Sequence, residues 1–387
     1  MTWRLHRQIA LSMTLCCMSV SGHGQAARKQ SEASFDTLAR EASQAKDANH
    51  LAKAAALYRE ALKLKTNWEE GWWSLGTVDY DQGDFAEAAR SFQRVISEDP
   101  KQGTARLMLG LCEFELGHDG DALKDIEEAK TGVIATDPQL REVMFYHEGV
   151  LLRRAGKFEG ASEALTKLCK NAPGSDDVVQ ELGMVALRRN EKLLAGDDPR
   201  VVATVRQLGQ AECLLTEKRF DEALALASAT VKTYPDIPSI HYAYGRLLLV
   251  EQDTDAAIGE FEREIANDPN DVFSRLQIAA VKYRVDSAAG VPYAEEAVKL
   301  DPRLPFGHYL LGLLLIDTKA YEQAVPQLEI ARQSFPNEAR VYFALGTAYS
   351  RVGRQHDAAQ ARATFLRLNK QAVGTGTDGE SGTGLLP

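Results

Sequence analysis

Residues 69–102 read EEGWWSLGTVDYDQGDFAEAARSFQRVISEDPKQ, and this stretch decides the fold. Trp72, Leu75 and Gly76 are followed by Ala88, Phe92, Val95 and Pro100. A glycine, lacking a Cβ, lets two helices cross closely, and Ala88 gives the facing helix room to approach. The aromatic and aliphatic residues fill the remaining gap. Pro100 ends the second helix and starts the next turn. Outward from Gly76, small residues return at Gly110, Gly149, Gly183, Ala211, Gly245, Ala279, Gly312 and Gly346. Their spacing is 34 residues, once 33, except for 39 between Gly110 and Gly149 and 28 between Gly183 and Ala211. A period of this size predicts stacked helical hairpins.

The same pattern recurs in Leu311, Gly312, Leu315, Tyr321, Ala324, Leu328, Ala331 and Pro336, and again in Leu345, Gly346, Tyr349, Gly353, Ala358 and Phe365. In combination these motifs resemble the tetratricopeptide repeat, over roughly residues 34–370. The resemblance implies an all-α fold, a right-handed superhelical α-solenoid of stacked helix-turn-helix repeats. Such an array adds units in one dimension, so a 387-residue chain needs no central core.

Composition is that of a folded protein, with 44% hydrophobic and 26% charged residues. Residues 1–26 differ from the rest. Arg4 and Arg7 precede an apolar run from Ile9 to Val20 and a small-residue stretch ending in Ala26, the pattern of a secretory signal peptide. The run is too short to span a bilayer, which takes about 20 residues. Leu15 ahead of Cys16 argues against a lipid-modified cysteine there or at Cys17. Cleavage after Ala26 leaves 43 Lys and Arg against 55 Asp and Glu, an acidic exported chain, periplasmic or extracellular. That balance disfavours nonspecific binding to nucleic acid or anionic lipid.

Residues 27–33 read as a polar leader and 34–189 as an N-terminal repeat array. Its first hairpin is an atypical capping unit with Ala54, Tyr58 and Ala61 on the second helix. About five extra residues fall in a loop around Thr131–Asp137. The short interval after Gly183 removes a second helix: Asp176 to about Leu193 forms a first helix, residues 190–200 break the register, and Asp198-Pro199 start the next helix. A kink or change of pitch is expected there, the alternative being a rudimentary second helix over 188–194. Residues 201–370 form a C-terminal array, in which Pro292 opens a short second helix and Pro326 kinks another if it lies beyond the first turn. Nine hairpins plus one odd helix result. Residues 371–387 read as a disordered Gly/Thr-rich tail.

Three cysteines remain beyond the leader. Cys112, Cys169 and Cys213 read as buried small hydrophobes, with a Cys112–Cys169 bridge as a lesser alternative. Catalytic signatures are missing: no His-Glu-x-x-His, phosphate loop, Gly-x-Ser-x-Gly or Cys-x-x-Cys occurs. Gly374, Gly376 and Gly379 match Gly-x-Gly-x-x-Gly without the flanking strand and helix that a dinucleotide site needs. His241-Tyr242 and His308-Tyr309 repeat a dipeptide two units apart, too far to share an ion, and a packing or groove role is expected. No cofactor, metal or catalytic residue is assigned.

In tetratricopeptide repeats the first helices line the concave face, and the residue after the packing aromatic points into it. At that register the chain places Trp73, Leu107, Tyr146, Gln180, Leu208, Tyr242, Leu276, Tyr309 and Phe343. Positions four and seven further on add Tyr80, Phe114, Arg153, Arg246 and Tyr283, with Arg284 beside them. Part of such a stripe is packing between repeats. The rest forms an aromatic groove for a peptide or protein partner, with arginines orienting acidic groups. A Lys-x-x-x-Asn carboxylate clamp is missing, as the paired positions read Trp73 and Thr77, Tyr146 and Val150, Tyr242 and Arg246. The chain is thus expected to be a non-catalytic scaffold or adaptor of the cell envelope, the alternative being a module for a cell-wall glycan or other small ligand.

Overall fold

A computed structural model describes residues 24–133, 137–169, 175–193 and 196–374. The apolar run with Cys16 and Cys17, and the tail from residue 375 with Gly376 and Gly379, lie outside them. Among the described residues there are nineteen α-helices and no strand, an all-α solenoid. None of these helices is long and apolar enough to cross a membrane. The chain divides into two compact units, residues 1–151 and 152–387.

The first unit contains α1 (Gly24–Asp47), α2 (Leu51–Leu64), α3 (Glu69–Asp81), α4 (Phe85–Glu98), α5 (Gly103–Glu115) and α6 (Asp119–Val133). Most of α7 (Pro138–Arg154) also belongs to it. Helices pair in sequence as α1/α2, α3/α4 and α5/α6. The small-residue logic operates at Gly76, where an added Cβ would lie 2.9 Å from the Phe92 ring. Phe92 and Ala88 are fully buried there. The residues read as a polar leader are helical, since α1 begins at Gly24. The extra residues near 131 extend α6 by one residue, to Val133, and 134–136 lie outside the described residues.

The second unit contains α8 (Phe158–Cys169), α9 (Asp176–Ala186), α10 (Pro199–Thr216), α11 (Phe220–Thr233), α12 (Ile240–Val250) and α13 (Thr254–Asn267). It continues with α14 (Val272–Lys282), α15 (Ser287–Leu300), α16 (Pro305–Asp317), α17 (Tyr321–Ser334), α18 (Ala339–Arg351) and α19 (Gln355–Gly374). Five hairpins run from α10/α11 to α18/α19. The odd helix is α9, which stops at Ala186 rather than near Leu193, and residues 188–193 form no second helix. The Asp198 side chain accepts from the Arg200 amide and Pro199 is the first residue of α10, the cap-and-proline start that the chemistry dictates.

With no second helix between them, α9 and α10 pack directly on each other. Gly183 and Gly209 make this possible. A Cβ on Gly183 would fall onto the Val205 carbonyl oxygen, and one on Gly209 onto that of Val179. The missing helix is replaced by backbone-to-backbone approach. A disulfide between Cys169 at the end of α8 and Cys213 on α10 spans the same region. This corrects the expectation of three unpaired cysteines and the Cys112–Cys169 alternative: among the described residues, Cys112 alone is a free buried thiol.

Two proline readings also change. Helix α15 starts at Ser287, with Asp286 capping the Ala289 amide, so it has the ordinary 14 residues and Pro292 lies inside it. The Asp-Ser start outweighs the proline as an initiation signal. Pro326 likewise lies inside a continuous α17. At the other boundary, residues 371–374, read as tail, complete α19.

Candidate functional site

First helices end in a left-handed residue, which closes their last turn. Gly83, Gly117, Gly156, Lys218, Gln252, Lys319 and Gly353 do this seven residues after the small packing residue. Arg188 and Arg284 do it after only five. Thus α9 and α14 stop half a turn early, and each is followed by a left-handed arginine.

The second unit builds an aromatic cage around Arg188. Phe158 opens α8, Tyr242 lies on α12 and Phe273 on α14. The Arg188 guanidinium carbon sits 3.4 Å from the Phe273 ring centroid, 4.9 Å from Phe158 and 5.2 Å from Tyr242. Its Nη1 donates to Glu159 Oε1 and to Tyr242 Oη, both at 2.8 Å. The side chain is only 6% exposed. Ring faces carry negative charge and attract a desolvated cation, by about 2 kcal/mol or more for a buried pair. The adjacent carboxylate adds a charge-assisted hydrogen bond.

The turn that presents Arg188 is fastened by another arginine. Arg153 Nη1 donates to the carbonyls of Arg189, Asn190 and Glu191 at 3.0, 2.9 and 3.1 Å, while its Nε donates to Glu181 Oε2 at 2.6 Å. Arg153 was expected to face a partner. It is 1% exposed instead, because it supplies a donor to three carbonyls of the turn that replaces the missing helix. Near the cage, burial pushes the Glu212 carboxyl up, with Arg246 opposing. Burial works against the Arg246 charge, and Tyr242, Glu212 and Glu159 together more than offset it.

The predicted stripe divides. Tyr242 and Tyr309 are buried, as are Leu107, Leu208 and Leu276. They are corrections to the exposed groove, because neighbouring first helices approach closely enough to cover that position. Burial pushes the Tyr309 hydroxyl up to about 12. Trp73, Tyr80, Phe114, Tyr146 and Tyr283 are half-buried, and Gln180, Arg284 and Phe343 are exposed. Within the first unit, Trp73 packs edge-on to Phe92 and Tyr80 to Phe85, while Phe114 and Tyr146 each stand edge-on to His147. Arg284 lies 5.2 Å from the Tyr283 ring, and Phe343 packs on Phe365. Of the predicted residues, the structure brings Arg153, Tyr242 and Arg246 to the cage region. Phe158, Glu159, Arg188 and Phe273 were not predicted, and the one sequence signal for Arg188 is its place in the shortened interval after Gly183.

The repeated histidines have a packing role. His241 and His308 occupy the position four before the small residue, and each Nε2 donates to the proline carbonyl six residues back, Pro235 and Pro302. A carbonyl only accepts, so that nitrogen carries the proton. Trp72 Nε1 and Tyr342 Oη do the same from the same position, to Thr66 and Pro336. Among the described residues, no group of three or more His, Cys, Asp or Glu converges in a way that could hold a metal ion.

The tetratricopeptide repeat family model matches residues 74–138, 208–272 and 309–372, half of the chain. Among solved structures, MamA (41-end) from Desulfovibrio magneticus is 20% identical, with 43% of this chain and 94% of that one covered at a TM-score of 0.40. A tetratricopeptide repeat protein from Parabacteroides merdae is 15% identical, with 73% and 99% covered at 0.35. YrrB, a TPR protein described as having an unusual peptide-binding site, is 14% identical, with 54% and 93% covered at 0.38. No curated protein matches the chain. With its repeat period, its paired helices and half its length matched, the chain belongs to the tetratricopeptide repeat family.

Proposed function

We propose that the chain is a non-catalytic scaffold that holds an extended segment of a protein partner against the first helices of its repeats, outside the cytosol. Tetratricopeptide repeat proteins are in general non-catalytic scaffolds that bind protein or peptide partners, though the fold does not specify the partner. The observation that carries the reading is the cage: a side chain from a non-helical segment is seated among rings supplied by α8, α12 and α14. Two features support export. One is the Arg4, Arg7 and apolar pattern of residues 1–26. The other is the Cys169–Cys213 disulfide, a bond that persists in oxidising compartments. The glycan alternative loses two of its stacking faces, because Tyr242 and Tyr309 are buried.

Affinity capture from cell-envelope extract with the chain as bait, followed by cross-linking to map the bound segment, tests the scaffold. The expected outcome is a recovered protein cross-linked to first-helix positions such as Trp73, Tyr146 or Gln180. Cross-links confined to second helices would overturn it. Export is checked by fractionation and N-terminal sequencing, with a mature chain starting at Ala27 expected in the envelope fraction.

A further inference from the structure

We propose that the Phe158, Tyr242 and Phe273 cage is a pocket for an arginine side chain of the partner segment, and that Arg188 occupies it as an internal stand-in which the partner displaces. The inference rests on the scaffold reading and names the side chain that the scaffold recognises.

The cage is specified for a guanidinium. The guanidinium carbon lies 3.4 Å from the Phe273 ring centroid while Nη1 donates to both Glu159 and Tyr242. A lysine ammonium could donate to the same two oxygens but lacks the flat, weakly hydrated face that lies against the ring. Arg188 itself is incompletely satisfied in the cage. Arg188 Nε is buried without a hydrogen-bond partner among the described residues, and so is Arg189 Nε. An unmet buried donor is costly. An arginine entering from another backbone is free of the constraint that leaves Arg188 Nε unmet.

Exchange need not unravel the fold. Arg153 holds the backbone of residues 189–191, and α9 packs on α10 through Gly183 and Gly209. Neither contact involves the Arg188 side chain. Arg284 shows the vacated arrangement: it ends α14 at the equivalent point, also left-handed, with its side chain exposed. An arginine at this position closes its helix without a cage around it. The cage is therefore an addition to the turn, and occupation by Arg188 lowers the apparent affinity for any competing arginine by the fraction of open cage.

The test uses the full chain and a fluorescein-labelled peptide, Gly-Ser-Gly-Arg-Gly-Ser-Gly, read by anisotropy. Arg188→Ala and Arg188→Gln are both expected to bind it at least about 10-fold more tightly than the unaltered chain. Adding Phe273→Ala to either should abolish the gain, and the lysine and citrulline versions of the peptide should show none. The proposal fails if both folded variants bind the arginine peptide no better than the parent, or if the gain survives Phe273→Ala. It also fails if both variants lose their helical circular dichroism, since Arg188 is then a structural residue. A partner captured on the first helices despite such a result leaves the scaffold standing. An arginine-peptide gain without any captured partner removes the scaffold and keeps the pocket.

Discussion

Asp79 is a carboxyl buried inside a first helix of the repeats, and its burial gives it a measurable pH dependence. It is 1% exposed and accepts from Arg59 Nη2 at 2.7 Å through Oδ1, while Oδ2 has no partner among the described residues. Burial outweighs Arg59 and pushes the carboxyl above its ordinary range. The native state then holds its proton to higher pH than the unfolded chain does, so this group's contribution falls as pH rises through the ordinary carboxylate pKa, about 4. Asp79→Asn, which keeps one acceptor for Arg59, is expected to raise the melting temperature at pH 7, and the difference should close by pH 3. A difference that stayed constant between the two would show that Asp79 is not the titrating cause. The exposed stripe misread Tyr242 and Tyr309 at this same scale. Helical geometry correctly assigned both to one face of a first helix, but whether a face meets water depends on the adjacent repeat. Tyr242 is covered by Phe261, Phe273 and Arg188, residues that no local pattern brings together.

The helices themselves were legible because their period, caps and small residues are local signals. The 34-residue spacing located the hairpins, and Asp198-Pro199 located the start of α10. The end of α9 was not legible, because Leu187, Arg188 and Arg189 are all good helix formers. Their departure from helix is held by a distant partner, Arg153, on the next carbonyls of the chain. The same comparison of elements gives a prediction at the break. Gly183→Ala drives a methyl into the Val205 carbonyl of a packed backbone, and should destabilise the second unit by about 3 kcal/mol in urea unfolding. Gly259→Ala, inside α13 with nothing within 4 Å of its new methyl, should stabilise by about 0.8 kcal/mol through helix propensity alone. If the two substitutions had equal effects, close approach of α9 and α10 would not be what replaces the missing helix.

A solenoid is stabilised by its nearest-neighbour interfaces, so a defect in one repeat is a weak point for the array rather than a local blemish. The second unit meets this with a covalent tie. Cys169 and Cys213 are 44 residues apart and enclose α9, the turn of Arg188 and most of α10, the part of the fold where a helix is missing. Closing a loop of that length removes about 4 kcal/mol of unfolded-state entropy on the chain-entropy estimate. Reduction, or the double substitution Cys169→Ser with Cys213→Ser, is therefore expected to lower the unfolding free energy of this unit by up to about 4 kcal/mol. Cys112 lies in the other unit, fully buried, with its thiol pushed up to about 12 by burial. Thiol titration of residues 27–387 should therefore detect none in the native chain, one after denaturation without reductant, and three after denaturation with it. Three reactive thiols without reductant would remove the tie, and with it one of the two supports for the proposed export. Amide exchange resolves where the stabilisation acts: on reduction, protection should fall first in α9 and α10, while α16 to α19, whose interfaces do not include the break, should hold their rates.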